Sequence, residues 1–324
     1  MMRNKVLVTG GSGFIGTNLV KVLVEQGFKV WNLDLNAPRA DSQSSMWLKG
    51  DIGDAEQVLQ ILRETSPDYI VHLAARTDLG GSSLRDYADN TKGTQNIIHA
   101  ANVVGSVKRL IFASTMLVYR CGHVPVNDAD YSPDTVYGES KVQMEKMIRE
   151  SDLSCEWVII RPTSIWGPWF GEPYKRFFNL VLAGKYVHPG HQSCTKTYGY
   201  VGNSALQILA LLKGDAAQIH ARCFYIGDDP PIHISDWADE IRVAGGNGHN
   251  RRIPYMIMLI VAYLGDLLNT LGIQFPMTTF RLRNMTTDNI IDLRETLAVV
   301  GPPEFSRSSG VTATLRWLES PEAK

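Results

Sequence analysis

Little in this sequence favours a nucleic-acid partner: 32 lysines and arginines face 33 aspartates and glutamates across 324 residues, a net charge of −1. With no basic excess to neutralise phosphates, a general nucleic-acid binder is excluded. Cysteine is scarce. Cys121, Cys155, Cys194 and Cys223 lie far apart without metal-ligand spacing, which argues against a metal centre and for free thiols in a reducing cytoplasm. Long hydrophobic runs are missing too. The strongest, residues 255–265, is 11 residues long before Asp266 interrupts it, where a bilayer span needs about 20. A packed helix of a second domain is expected there, without stable membrane insertion, and peripheral membrane contact is the alternative. The N-terminus passes from Val6, Leu7 and Val8 straight into glycines, so no signal peptide is expected. No internal repeat or low-complexity stretch is present. What remains is 44% hydrophobic and 20% charged, long enough for a sizeable core and a smaller second domain.

The stretch around which the chain is organised runs from Lys5 to Gly16. Residues 5–9 are apolar and β-branched, as in a buried strand. Gly10, Gly13 and Gly16 follow at three-residue spacing, and an amphipathic run over 14–26 closes at Gly27. Strand, glycine turn and helix form the setting of a phosphate-binding fingerprint. Gly10 permits the tight turn, Gly13 lets a pyrophosphate meet bare backbone, and Gly16 lets the helix lie close on the strand. The helix N-terminus then offers free amides and partial positive charge to the anion. The next apolar run ends at Asp34, 18 positions after Gly16. A carboxylate there accepts bonds from adenosine ribose hydroxyls and repels a 2′-phosphate, which favours NAD over NADP. Arg39 nearby keeps the phosphorylated form open.

Further strands are expected over 46–52, 68–75, 107–114 and 155–161, with helices over 54–65 (capped by Asp54) and 87–104 (ended by Gly105) between them. This alternation predicts an α/β fold, a doubly wound parallel Rossmann sheet. Residues 1–165 form its dinucleotide-binding domain, with a returning segment near 195–227. Residues 166–324 form mainly a smaller C-terminal substrate-binding domain. There, a helix over 174–183, short strands over 197–201 and 223–226, a helix over 204–213 and one capped by Ser235 are expected. This part would cover the carboxyl ends of the strands, where open α/β sheets bind ligands.

Two constellations suit carbonyl–alcohol chemistry. In Tyr137-Gly-Glu-Ser-Lys141 a spacing of four puts phenol and ammonium on one helical face. A tyrosine with its pKa near 10 acts as a base around pH 7 only if its phenolate gains roughly 4 kcal/mol. An ammonium at about 4 Å supplies close to that at an effective dielectric of about 20. Ser114 and Thr115 stand at the end of the fifth strand, facing the crevice, where a hydroxyl can bind the reacting oxygen and share its proton with Tyr137.

Together these marks resemble the extended short-chain dehydrogenase/reductases of the NAD-dependent epimerase/dehydratase group. The matching residues are Thr9-Gly-Gly-Ser-Gly-Phe14-Ile15-Gly16, Asp34, Gly50-Asp51-Ile52, His72-Leu-Ala74-Ala75, Asn90-Thr-Lys-Gly-Thr94, Ser114-Thr115, Tyr137 to Lys141 and Arg161-Pro162. The resemblance implies that Phe14 and Ile15 border the cofactor at the glycine turn, that Asp51 and Ile52 flank its adenine, and that Ala74 and Ala75 pass near its ribose or phosphates. Asn90 would order the pocket wall, Ser114 and Pro162 would contact the cofactor, and Thr115 would orient the substrate. Tyr137 would be the acid/base, with Lys141 binding the nicotinamide ribose and depressing the phenol's pKa. It further implies a nucleotide-diphosphate sugar, oxidised to a transient 4-keto form and reduced on its other face, in polysaccharide synthesis, and a homodimer built from the helices near 90–104 and 136–150.

Some positions depart from that pattern. Met116 and Leu117 stand where sugar dehydratases and decarboxylases place an acid, which speaks against elimination. Cys121, His188 and His191 are expected to be loop or pocket residues, not the extra acids of neighbouring-carbon epimerases. Thr163-Ser164 stands where many sugar epimerases carry an Asn contacting the nucleotide sugar, and Lys196 where a phosphate-binding Arg is common; a lysine binds pyrophosphate as a point charge without the bidentate fork. Alternatives are an NAD(P)-dependent ketoreductase or dehydrogenase of a nucleotide sugar or a steroid- or flavonoid-like alcohol, and a non-catalytic dinucleotide sensor.

Overall fold

The computed structural model describes residues 3–123, 125–190, 194–273 and 275–323; His191 lies outside them. The apolar runs become β1 (Lys5–Thr9), β2 (Lys29–Asp34), β3 (Trp47–Lys49), β4 (Tyr69–His72), β5 (Arg109–Ala113) and β6 (Glu156–Pro162), joined by the strand Arg222–Ile226. The described residues place these seven in one parallel sheet, in the order Arg222–Ile226, β6, β5, β4, β1, β2, β3. Parallel neighbours need crossovers, and α1 (Phe14–Glu25), α2 (Ala55–Thr65), α3 (Thr94–Val104) and α4 (Val136–Glu150) provide them. Val6 and Val8 point into one core with Leu19, Leu23 and Ile160, while Leu7 points into the other with Leu33, Ile70 and Phe112. Burial on both faces is why these strands read as unbroken apolar runs. The strand order reverses between β1 and β4, and an open sheet parts there into a crevice at its carboxyl edge.

Local signals set the helix ends. The Asp54 carboxylate accepts from the Glu56 and Gln57 amides at 3.1 Å each, and Gly105 closes α3 in the left-handed region at φ 67°. After β6 the chain forms α5 (Tyr174–Leu182) and then α6 (Val201–Lys213), which packs beside α1, before Arg222–Ile226 extends the sheet. The helix Arg294–Val300 comes back to α6 and to that strand. Trp166, Phe170, Phe178 and Trp237 continue the core that begins under β1, so the C-terminal part is welded to the sheet by aromatic packing.

Three expectations are corrected. The helix expected over 87–104 opens as a 3₁₀ turn, Leu84–Tyr87, and a π-helical turn, Asp89–Gly93, before α3 proper. Ser235 is not an N-cap: the helix Ile234–Ala244 already contains it, after His233. The apolar segment at 255 is a longer helix, Tyr255–Thr270, and it is not packed all round; its buried positions are Met258, Ala262 and Gly265.

Candidate active site

At the end of β1, Gly10 takes φ +72°, and a Cβ there would lie 2.6 Å from the Ala74 amide nitrogen. Bare backbone thus lets the β1 turn touch the chain leaving β4. At Gly16 a Cβ would lie 2.2 Å from the Gly10 carbonyl oxygen, so only glycine lets α1 start against the turn. Gly13, the N-cap of α1, supplies no side-chain acceptor to the first-turn amides. Those donors and the positive end of the helix are what an anion requires. Across the turn, the Asp34 carboxylate accepts from the Ser12 amide at 3.1 Å and the Asn36 amide at 2.9 Å. It is thereby fixed at the end of β2 with lone pairs left for a ribose diol. Arg39 donates to the Trp169 carbonyl at 2.5 Å. A glycine cradle, an uncapped helix start and a fixed acid fit a dinucleotide whose adenosine ribose lacks a 2′-phosphate.

A chain of hydrogen bonds runs from this turn to α4. The Ala74 amide donates to the Thr9 hydroxyl at 3.2 Å, and that hydroxyl is 2.7 Å from His72 Nδ1. The Thr94 hydroxyl gives its one proton to the Asn90 carbonyl, so the His72 proton sits on Nε2 facing Thr94 and Nδ1 accepts from Thr9. Nε2 lies 3.1 Å from the Thr94 hydroxyl, which donates to the Asn90 carbonyl at 2.9 Å. Burial, with help from the Lys141 ammonium, pushes the His72 pKa down to about 3 and keeps the ring neutral. Asn90 is fully buried. Its side chain accepts from the Arg76 amide and donates to the Arg76 carbonyl and to the Ser140 hydroxyl, while Ser140 donates to the Tyr137 carbonyl at 2.7 Å. Asn90 therefore ties the loop after β4 to the first turn of α4. Ile52 is buried against Gly93, where a Cβ would meet its Cδ1 at 2.5 Å, and Asp51 is exposed with its carboxylate accepting from the Gly53 amide.

Thr115 and Tyr137 come together. Gly138 allows it: a Cβ there would lie 2.3 Å from the Leu117 carbonyl oxygen, so α4 can start against the turn Met116–Val118. Thr135 caps α4 by accepting from the Gly138 amide at 3.0 Å. The Thr115 hydroxyl stands beside the Tyr137 phenol and favours its ionised form, and Tyr87 packs on the phenol ring at 6.0 Å between centroids. Burial raises the Tyr137 pKa to about 12, and the neighbouring Thr115 hydroxyl opposes that rise. The Lys141 ammonium donates to the Ala113 carbonyl at 2.8 Å, and burial pushes its own pKa down to about 7 despite Glu145 one turn further on. Bonded to that carbonyl, the ammonium is drawn toward the end of β5.

Other predicted positions are occupied as follows. The Ser114 hydroxyl donates to Glu145 at 2.5 Å, so it faces a buried network and not the crevice. Arg161, fully buried, donates to Glu145 at 2.6 and 2.9 Å and to the Tyr119 hydroxyl at 2.9 Å, and its guanidinium lies over the Tyr119 and Tyr131 rings. Pro162 ends β6 opposite Ile226. Ser164 stands beside the Tyr174 phenol, where it opposes the rise in pKa that burial causes. Lys196 donates to the Asn284 carbonyl at 2.7 Å. His188 is a buried strand residue 3.2 Å from the Tyr186 hydroxyl, and Cys121 sits exposed in a turn. The sequence reading missed Glu145, although its spacing of four from Lys141 puts it on the same helical face. It also missed Asp228, which accepts from the Tyr200 amide at 2.7 Å and whose pKa burial raises to about 6. Among the described residues no cluster of His, Cys, Asp or Glu could hold a metal ion, and no helix is long and apolar enough to cross a membrane.

Comparison with known proteins agrees with this fold. The chain is 32% identical over 273 residues to a 3-beta-hydroxysteroid dehydrogenase of Mycolicibacterium neoaurum, covering 77% of this chain and 71% of that one. It is 27% identical over 330 residues to the N-acetyl-alpha-D-glucosaminyl-diphospho-ditrans,octacis-undecaprenol 4-epimerase of Escherichia coli O157:H7, covering 98% and 96%. Its fold matches the crystal structure of a Thermus thermophilus UDP-glucose 4-epimerase in complex with NAD, with a TM-score of 0.72, 21% identity and coverage of 98% and 99%. The model of the NAD dependent epimerase/dehydratase family matches residues 6–227, and the chain belongs to that family.

Proposed function

We propose that the protein is an NAD-dependent epimerase, acting at C4 of a sugar carried on a nucleotide diphosphate through a transient 4-keto sugar. The observation that carries this reading is the Thr115–Tyr137 hydroxyl pair, held at the carboxyl edge of the sheet by the same hydrogen-bond chain that braces the glycine turn. A relative spanning nearly the whole chain is a 4-epimerase of a sugar carried on undecaprenyl diphosphate, which supports the chemistry at C4 and leaves the carrier to be tested. When bound, NAD supplies a hydride acceptor that can return what it takes. Gly10, Gly13, Phe14, Ile15 and Gly16 would hold its phosphates, Asp34 its adenosine ribose, and Asp51, Ile52, Ala74, Ala75, Asn90 and Pro162 the rest of its pocket. Ser114 would contribute through backbone alone.

In this reading Thr115 hydrogen-bonds the sugar hydroxyl and fixes its lone pairs toward Tyr137. The phenol, protonated at neutral pH, is ready to give its proton to a ketone oxygen. Taking a proton in the forward direction requires positive charge near the phenolate beyond what Lys141 supplies in its present contact. Ser164 and Lys196 would bind the substrate, after exchanging their partners Tyr174 and Asn284. Cytoplasmic residence and a homodimer belong to the same proposal. Met144 and Ile148 are used in the core under the sheet and Val142 against Val118 and Tyr119, so a pairing through α3 and α4 would use Gln95, Ile98, Gln143 and Met147, which line a surface cleft of about 550 Å³.

A dehydrogenase acting on a steroid-like alcohol is the second reading, favoured by the 32% identical relative. An epimerase holds its dinucleotide through turnover and a dehydrogenase must exchange it. Denaturing the purified protein and measuring the released dinucleotide separates the two: near-stoichiometric NAD supports epimerisation, and none supports the dehydrogenase. Tyr137→Phe should keep dinucleotide binding and lower kcat by about 10²- to 10⁴-fold. Equal, negligible rates for wild type and variant across a panel of sugar nucleotides would leave a dinucleotide sensor.

A further inference from the structure

The helix Tyr255–Thr270 turns an apolar stripe to solvent. Met256, Ile257, Ile260, Tyr263, Leu264 and Leu267 recur at helical spacing, each more than half exposed, opposite the buried Met258, Ala262 and Gly265. Leu271 and Ile273 extend the stripe and Phe280, 74% exposed, stands beside it. A helix that packs on a core normally shows its polar face to water, and contiguous exposed apolar surface of this kind marks an interaction site. The helix is held from beneath. A Cβ at Gly265 would clash with the Met277 carbonyl, and Asp266 accepts from the Thr279 amide and, at 2.6 Å, its hydroxyl. The outward stripe is therefore a fixed feature of the fold.

The segment that carries the stripe is charged one-sidedly. Exposed Arg251 and Arg252 precede the helix and exposed Arg281 and Arg283 follow it, while Asp266, its carboxylate bonded to Thr279, is the acidic residue between them. Residues 251–283 thus carry four arginines against one aspartate in a chain whose net charge is −1. Beside the stripe a cleft of about 580 Å³ is lined by Arg176, Arg281, Phe275 and Phe280.

We propose that this face docks the protein on the surface of a membrane containing anionic lipid. The apolar stripe enters the boundary between headgroups and acyl chains, and the arginines meet lipid phosphates. At 1.5 Å per residue the 16-residue helix is about 24 Å long, short of the roughly 30 Å hydrocarbon core, so it lies in the interface and does not cross. A second copy of the chain is a poorer occupant, because a two-fold pairing of this face brings its own arginines together. The docking face serves in this way whichever substrate the active site takes.

Vesicle flotation with the full-length protein tests it, using phosphatidylcholine alone and phosphatidylcholine with about a third phosphatidylglycerol. The wild type should float with the anionic vesicles and much less with the neutral ones. Ile260→Glu/Leu264→Glu should lower the floated fraction at least tenfold and Arg251→Glu/Arg283→Glu should remove the preference for anionic lipid, with melting temperature and NAD binding unchanged in both. Failure of the wild type to float with either vesicle would overturn the proposal. So would a wild-type dimer in solution that Ile260→Glu/Leu264→Glu converts to monomer, which would assign the face to a second copy.

Discussion

Tyr137 and Lys141 both sit where burial outweighs their neighbours, in opposite chemical senses. The phenol is held protonated, and the ammonium is driven toward neutrality. The spacing of four between them was legible in the sequence, and so was their helical face. The direction of the lysine was not: nothing in the pattern says that the Ala113 carbonyl captures Nζ. The lysine has a consequence for stability. Its pKa is about 7 in the folded protein against an ordinary value of 10.5, so between those two the folded state binds fewer protons than the unfolded chain and stability rises with pH. The melting temperature of the wild type without cofactor should climb from pH 7 to pH 9, and Lys141→Met should flatten that climb while raising stability at pH 7. A wild-type curve that falls over this range would show that the buried ammonium is better compensated than its contacts indicate.

Elements explain how such residues are held. The glycine turn was the most readable, because steric demands write themselves into sequence: Gly10 and Gly16 are glycines since a Cβ would meet backbone at 2.6 and 2.2 Å. Gly16→Ala should therefore destabilise the fold by about 1–3 kcal/mol and weaken dinucleotide binding roughly tenfold or more, measured by chemical denaturation and by NAD titration. Less readable were contacts that cross elements. Glu145 looks like an ordinary helix acid, yet with Arg161 it forms a fully buried ion pair joining α4 to the end of β6. Breaking one side of such a pair costs about 3–5 kcal/mol. Glu145→Ala should lose that much in a denaturant titration, and the loss should be smaller when Arg161 is replaced by an uncharged residue as well. Strand positions could be read to within a few residues because burial on both faces leaves continuous apolar runs. The π-helical turn at Asp89–Gly93 and the true start of the helix at Ile234 could not, since both depend on tertiary hydrogen bonding and not on local propensity.

At the scale of the molecule, the parallel sheet followed from the alternation of strand and helix patterns, whereas its strand order and switch point had no local signal. The outward apolar face of Tyr255–Thr270 did not follow, because an apolar run announces contact without saying with what. In the proposed reaction a hydride is removed from and returned to the same carbon, with Tyr137 moving the proton on its oxygen. The most direct test is to incubate the purified protein, without added dinucleotide, with UDP-sugars carrying deuterium at C4 and to follow the product by NMR. Inversion at C4 with the deuterium kept on that carbon is the predicted result. Absence of inversion for every sugar, accompanied by net reduction of NAD once it is supplied with an alcohol, would contradict the proposed epimerisation and place the protein among the dehydrogenases.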